Sequence, residues 1–164
     1  MKTSIKCFIR VVPLVIGLLT VSFAQAQQVM PASGDLKWVT APASLPAGAK
    51  VAMLKGDLAK PGAFVFRMKL PAGYRLKPHS TSSIERIVVV SGTFNLGAGD
   101  KFDDARTIPL YAGYVHWLDQ TPYFAYTSEE TVLEIEGAGP FVVNYVSPAD
   151  DPMNKKRVSS SAIR

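Results

Sequence analysis

The stretch Gly73–Gly92, GYRLKPHSTSSIERIVVVSG, contains two strand-like runs separated by a polar bend. His79 and Thr81 lie two residues apart, so on a strand their side chains point to one face. The second run begins at Glu85, whose side chain shares a face with that of Ile87. The stretch therefore predicts a β-hairpin that aims an imidazole and a carboxylate at one point.

The remainder of the chain also alternates with the period of a β-strand. Apolar and polar residues alternate in FVFRMKL (64–70), TVLEIEG (131–137) and FVVNYV (141–146), while ERIVVVSGTFNL (85–96) reads as two strands broken at a Ser-Gly pair. Only GDKFDDA (99–105) suggests a short helical turn. Short strands at this spacing, separated by frequent Gly and Pro, predict an antiparallel sandwich or barrel.

The first 26 residues have the three parts of a secretory signal peptide. Residues 1–10 are basic, residues 11–23 form an apolar run, and AQA (24–26) ends in small residues. The apolar run is shorter than the roughly 20 residues that a membrane-spanning helix needs, which disfavours a membrane anchor. We expect cleavage after Ala26 and a periplasmic or secreted mature protein without a membrane partner.

Removal of this segment changes the charge and the cysteine content. Loss of Lys2, Lys6 and Arg10 lowers the formal net charge from +5 to +2, and no basic stripe is left that would predict a nucleic-acid partner. The single cysteine, Cys7, is lost as well. The mature protein is therefore predicted to have no disulfide, no thiol nucleophile and no cysteine-based metal site.

The length of the chain predicts one domain with loose ends. Residues 27–35 read as a flexible leader and residues 36–152 as the β domain. Residues 153–164 read as a disordered basic tail, since termini without periodicity are usually disordered. The alternative for this tail is a small electrostatic contact patch.

Other reaction chemistries find little support in the sequence. It has no Gly-x-Ser-x-Gly nucleophile motif and no phosphate loop ending in Gly-Lys-Ser/Thr. Glu134 and Glu136 share one strand face, and a pair of carboxylates could serve glycoside hydrolysis. Because charged side chains are rarely buried, we instead expect a solvated face there.

The hairpin resembles the first motif of the cupin superfamily, which reads Gly, five residues, His-x-His, three or four residues, Glu, six residues, Gly. The positions that match this spacing are Gly73, His79, Glu85 and Gly92. Thr81 stands in the place of the second histidine. LPAGYRLKPH, SGTFNLGAGDKFDDA and GPFVVNYVSPADDP are also similar to small secreted single-domain cupins, and the resemblance spans about residues 37–152. It implies an all-β fold, a cupin-type, jelly-roll-like antiparallel β-barrel in a single domain.

The second cupin motif is incomplete as well. Aligned on TPYFAYT, Tyr123 stands where that motif carries a metal-binding histidine. The stretch from Gly113 to Tyr123 is one residue short. Counted forward from Gly113, His116 therefore falls at a position that lines the cavity. Counted back from Tyr123, it falls on the outer face. The resemblance thus implies two metal ligands and three further pocket residues: His79 and Glu85, then Thr81, Tyr123 and His116.

Two firm ligands leave the function open. An imidazole and a carboxylate suit a divalent ion such as Mn, Fe, Zn or Ni, but catalytic metal sites usually have three protein ligands and a water. Tyr123 would bind as a phenolate only if the metal lowered its pKa from about 10. We expect a small-molecule-binding barrel with a degenerate metal site and no assured cofactor, in which His79 and Glu85 can also form a buried hydrogen-bonded pair. The alternatives are a metal-dependent oxygenase or isomerase with substitute ligands, and a structural protein that can form a homodimer.

Overall fold

The computed structural model describes residues 35–154, which form two antiparallel β-sheets. The predicted signal peptide, residues 27–34 of the predicted leader and residues 155–164 of the predicted tail lie outside the described residues. Within residues 35–154, no helix has the length and hydropathy that crossing a membrane requires.

Eleven strands build the two sheets within the described residues. In chain order they are β1 (Val39–Thr40), β2 (Lys50–Lys55), β3 (Gly62–Leu70), β4 (Arg75–Thr81), β5 (Glu85–Ser91), β6 (Thr93–Ala98), β7 (Ile108–Tyr111), β8 (Val115–Leu118), β9 (Tyr123–Thr127), β10 (Thr131–Gly139) and β11 (Val143–Tyr145). Sheet A has the order β1-β2-β3-β10-β5-β8, and sheet B has the order β11-β4-β9-β6-β7. A 3₁₀ turn at Asp104–Arg106 overlaps the helical turn predicted over residues 99–105. The predicted all-β, jelly-roll-like, single-domain fold is confirmed.

The core lies on the inner faces of the two sheets. Phe64, Phe66, Met68 and Leu70 alternate along β3 and are all buried, as their period of two predicts. Residues from β5, β6 and β9 join them in one apolar cluster. Burial of each large apolar side chain contributes about 1.5–3 kcal/mol relative to exposure, so this packing stabilises the scaffold that holds the polar groups described below.

The outer face of β10 differs from the sequence-based expectation. The prediction of a solvated face is wrong for Glu134, which is only 9% exposed. Glu134 accepts a hydrogen bond from Arg67 Nε at 3.1 Å, and the two residues are direct partners across β10 and β3. Glu136 pairs in the same way with Arg86 at 3.0 Å. Because each carboxylate is opposite a cation on the neighbouring strand, both glutamates are engaged in cross-strand ion pairs.

Candidate functional site

A β-bulge in β4 turns His79 towards the interior. Leu76 pairs with Ala125 and His79 pairs with Tyr123, so three steps along β4 match two steps along β9. The extra residue inverts the alternation, because Leu76 and His79 would otherwise face opposite sides of the sheet. Pro78 suits this position, since proline cannot donate to the ladder and is tolerated at bulges. As a result, His79 is buried at 2% exposure.

Strand pairing lines up a row of inner-facing residues across sheet B. Tyr145 is the direct partner of His79, His79 of Tyr123, and Tyr123 of Ala98. The centroid of the His79 ring lies 4.3 Å from that of Tyr123 and 5.7 Å from that of Tyr145. The Tyr145 hydroxyl donates to the Ser44 carbonyl at 2.8 Å, which anchors this ring. The imidazole is thus held between two phenol rings.

The backbone fixes the tautomer of His79. Its Nδ1 lies 2.7 Å from the Lys77 carbonyl oxygen, which can only accept, so Nδ1 carries the proton and Nε2 the lone pair. Burial lowers the pKa of His79 to about 4, and the hydrogen bond to Lys77 opposes this shift. The ring is therefore neutral at neutral pH, and Nε2 is its acceptor nitrogen.

Glu85 is supplied by sheet A and is 1% exposed. Burial raises the pKa of its carboxyl to about 7, and the neighbouring Thr81 hydroxyl offsets part of the rise. The Ser83 carbonyl, 3.0 Å from that hydroxyl, competes with the carboxyl for its single proton and has the hydrogen-bond geometry, so the compensation from Thr81 is weak. Within the described structure, Glu85 Oε1 is buried without a hydrogen-bond partner. The carboxyl is therefore poorly compensated for its burial.

Tyr123 is electrostatically linked to this carboxyl. Burial raises the pKa of the phenol well above its usual range, and the charges of Glu85 and Tyr145 raise it further. The phenol is therefore protonated at any pH at which the fold is expected to persist. The predicted β-hairpin is wrong, because β4 pairs with β9 and β11 in sheet B whereas β5 pairs with β10 and β8 in sheet A. The bend between the two strands nevertheless brings His79, Thr81 and Glu85 into one buried region, with Tyr123 beside them.

This donor set does not fit a tightly held metal ion. His79 Nε2 and the Glu85 carboxylate are two suitable donors, but the Thr81 hydroxyl is neutral and engaged with backbone. The Tyr123 phenol would have to ionise against a raised pKa. Across residues 35–154, no group of three His, Cys, Asp or Glu side chains is placed to hold an ion. A metal site of ordinary strength needs at least one more donor.

A pocket of about 190 Å³ opens between β8, at the edge of sheet A, and strands β6 and β9 of sheet B. Its lining comes from these strands and the loop after β8: Leu96, Gly97, Ala98, His116, Trp117, Leu118, Asp119, Thr121 and Tyr123. His79, Thr81 and Glu85 are not part of the lining. Of the five residues predicted from sequence, two line this pocket, and the other three are buried outside its lining.

His116 faces the interior, which settles the question that the sequence left open. It is the direct partner of Ile87, a buried core residue on β5, and direct partners share a face. The count from Gly113 therefore gives the correct orientation. The count from Tyr123 fails because the turn after β8 interrupts the alternation; there, Asp119 accepts a hydrogen bond from the Thr121 backbone amide at 2.9 Å.

Sequence reasoning missed Tyr145, the second ring against His79. The alternation in FVVNYV correctly predicted a strand, and β11 includes Tyr145. The pairing of β11 with β4 is a long-range contact, for which the local pattern contains no signal. An aromatic residue at an inner-facing strand position is the only hint available from the sequence.

Comparison with solved structures identifies the fold. The polyketide cyclase RemF from Streptomyces resistomycificus has a TM-score of 0.59 at 17% identity, covering 79% of this chain and 92% of the cyclase. An RmlC-like cupin from Shewanella frigidimarina has a TM-score of 0.50 at 14% identity, covering 66% of this chain and 87% of that protein. The chain has the RmlC-like cupin fold.

The cupin fold predicted from the Gly73–Gly92 motif is thereby confirmed. A salicylate 1,2-dioxygenase from Pseudoaminobacter salicylatoxidans shares it at a TM-score of 0.50 and 15% identity, covering 63% of this chain and 30% of the enzyme. No protein-family model and no curated protein matches the sequence. Likeness at this level of identity concerns the cupin scaffold, whereas the function has to be argued from the site.

Proposed function

We propose that this cupin-fold chain is an exported protein that binds a small, single-ring molecule in the pocket between β8 and β9, without a resident metal ion. The observation that carries the proposal is the pocket of about 190 Å³ lined from both sheets. Apolar cavities of about 150 Å³ take up benzene, so this volume suits one ring with a small substituent. Export is inferred from the signal-like residues 1–26.

The lining suggests the polarity of the ligand. His116 on β8 and Tyr123 on β9 enter the pocket from different sheets, and both side chains can donate or accept a hydrogen bond. The hydroxyl and backbone amide of Thr121 lower the pKa of Asp119, which is therefore ionised at the rim. A carboxylate at the entrance disfavours anions. The best-fitting ligand is thus an uncharged ring that bears a hydroxyl or a similar group.

A metal-dependent enzyme is the second candidate. The observation in its favour is the pairing of a neutral His79 with a Glu85 carboxyl that lacks a partner for Oε1. The described donors are too few, as argued above. The named structural neighbours include a cyclase and a dioxygenase, so the fold itself is compatible with binding and with catalysis.

Self-association is a separate proposal, which rests on the outer side of the same edge strand. Val115 and Trp117 on β8 are exposed, at 43% and 65%. They alternate with His116 and Leu118, which face inward, and Trp117 also borders the pocket, so a second copy that covers Trp117 would lie at the pocket rim. Measurement of the molecular mass in solution, with Trp117→Ser as the variant, tests this proposal directly.

Phenol is a suitable first probe for the pocket. The chain has two tryptophans, and Trp38→Phe leaves Trp117 in the pocket lining as the only reporter. We expect phenol to change the Trp117 fluorescence saturably at one site per chain. Ala98→Phe fills the pocket and should abolish the response, whereas Ala105→Phe, at an exposed position in the 3₁₀ turn, should preserve it.

Absence of a saturable response to phenol, benzyl alcohol and aniline would contradict the proposal. Elemental analysis of protein isolated from its native compartment separates the two candidates. Near-stoichiometric metal that is lost in His79→Ala would favour the metal-dependent enzyme. Metal well below one ion per chain, together with phenol binding that Ala98→Phe removes, would favour the binding protein.

A further inference from the structure

We propose that the Tyr123 side chain is a partition that divides the interior of the fold into an open and a closed compartment, and that it thereby determines which ligands the protein accepts. The open compartment is the pocket that contains His116. The closed compartment surrounds His79 and Glu85. This inference deepens the proposed function and, for its ligand part, rests on it.

Tyr123 borders both compartments. On one side its ring lies 4.3 Å from the imidazole of His79, its partner on β4. On the other side it lines the pocket beside Ala98, its partner on β6. Direct partners share a face, so the side chain of Tyr123 stands between those of His79 and Ala98.

The burial values agree with a partition at this place. His79 and Glu85 are 2% and 1% exposed, although a pocket of about 190 Å³ begins one ring away. His116, the second histidine of the chain, is half-buried and belongs to the pocket lining. The two histidines therefore differ in solvent access because they lie on opposite sides of Tyr123.

The strand that bears Tyr123 is held in place on both sides. Strand β9 is paired with β4 and with β6. On the outer face, Phe124 packs onto Gly97, where an added Cβ would come within 2.3 Å of the ring. Because β9 has little freedom to move, opening of the partition requires rotation or removal of the Tyr123 side chain itself.

The partition limits the ligand in size and in chemistry. A molecule in the pocket can meet the Tyr123 phenol and the His116 imidazole, but not His79 Nε2 or the Glu85 carboxyl. We therefore infer a preference for one ring over two fused rings. Truncation of Tyr123 should join the compartments and allow a larger ligand to donate a hydrogen bond to His79 Nε2.

Diethyl pyrocarbonate tests the partition without any ligand. A neutral imidazole nitrogen takes the ethoxycarbonyl group from this reagent, with release of ethanol and carbon dioxide, and peptide mass spectrometry assigns the product to His79 or His116. In the unmodified protein we expect His79 to react at least about tenfold more slowly than His116, because its reaction requires local opening. In Tyr123→Ala the two rates should agree within a few-fold.

Matched variants keep this test decisive. Tyr126→Ala removes the same residue type from the outer face of the same strand and should leave His79 protected. Tyr123→Val, with a strand-favouring side chain, replaces Tyr123→Ala if the latter does not melt cooperatively. Equal reactivity of the two histidines in the unmodified protein would overturn the partition. So would a protected His79 in a folded Tyr123→Val variant.

The ligand part is tested by comparing phenol with 2-naphthol. The unmodified protein should bind phenol at least about tenfold more tightly, a difference of about 1.4 kcal/mol, and Tyr123→Ala should reverse the order. Failure of phenol to bind would remove the proposed function but leave the histidine reactivity as a test of the partition. Tight binding of 2-naphthol by the unmodified protein would contradict the size limit alone.

Discussion

The ring of His79 packs against that of Tyr123 in a tilted arrangement, at a centroid distance of 4.3 Å and an interplanar angle of 54°. These are the residues at which the cupin resemblance places one retained and one lost metal ligand. Where the cupin motif has a donor atom, this chain has a ring that packs against the imidazole. This difference accounts for both the missing third donor and the separation of His79 from the pocket.

The titrations of His79 and Glu85 should affect the free energy of unfolding in opposite directions, so that their pH dependences largely cancel. The pKa of Glu85 rises from 4.5 to about 7 on folding, so its contribution to stability declines as the pH increases through this range. The pKa of His79 falls from 6.5 to about 4, so its contribution declines as the pH decreases through that range. The two slopes oppose each other between pH 4.5 and 6.5.

Single variants should expose each slope in urea unfolding at a series of pH values. Glu85→Gln leaves His79 alone, so the free energy of unfolding should decrease on acidification below pH 6.5. His79→Gln leaves Glu85 alone and should produce the opposite trend. The slopes should approach about 1 kcal/mol per pH unit, below the limit of 1.36 for one proton. A profile of Glu85→Gln that parallels that of the unmodified protein would contradict the assignment.

Restoring two histidines should create a metal site. In the double variant Thr81→His, Tyr123→His, the new imidazoles join His79 and Glu85 on the shared inner face. Four donors instead of two should raise the affinity for Co²⁺ or Ni²⁺ by at least about a hundredfold, measured by calorimetry. Adding His79→Ala should cancel most of the gain. A folded double variant with no gain would mean that the four positions do not converge.

The buried Arg67–Glu134 pair should be costly to break but not to replace. The two side chains are 8% and 11% exposed and lie 3.1 Å apart. Glu134→Gln should lower the free energy of unfolding by about 3 kcal/mol, because the Arg67 charge stays buried with a neutral partner. The joint change to Met at both positions should cost much less. For comparison, Asp57→Asn in the exposed pair with Lys60 should have a much smaller effect, because solvent screens that pair.

Gly97 should tolerate no side chain while Phe124 is present. A Cβ at Gly97 would lie 2.3 Å from Phe124 Cε2 and 2.4 Å from its Cζ. Gly97→Ala should therefore destabilise the fold by about 1–3 kcal/mol, the usual cost of overpacking, as measured by thermal unfolding. Phe124→Leu should relieve part of this cost in the double variant. If the stability effects of Gly97→Ala and Phe124→Leu simply add in the double variant, residues other than Phe124 accommodate the new side chain.

The fold could be predicted because its signals are local. Alternation along β3 and β5 fixes which residues are buried, and the spacing from Gly73 to Gly92 fixes the strands β4 and β5 and the bend between them, although not their assignment to different sheets. His79 and Thr81 have the same parity within one strand, so their shared face also follows from the sequence. A period of two is sufficient for each of these inferences.

The arrangement of the site could be predicted only in part, because it depends on long-range register. The approach of Tyr145 to His79 requires the pairing of β11 with β4, and the burial of Glu134 requires Arg67 opposite it on β3. The orientation of His116 depends on how the turn at Asp119 interrupts the alternation. Residue types suggested a single shared pocket, whereas the partition depends on where the ring of Tyr123 lies.

The bulge ahead of His79 gives β4 two independent phases. Residues before it are counted from Leu76 and belong to the apolar half of the strand, while residues after it are counted from His79 and belong to the polar half. Core residues in one half of β4 can therefore be replaced without changing which side chains of the other half face inward. Deletion of Lys77 or Pro78 would remove the extra residue and regularise the strand, and Leu76 and His79, then two residues apart, would still share the inner face.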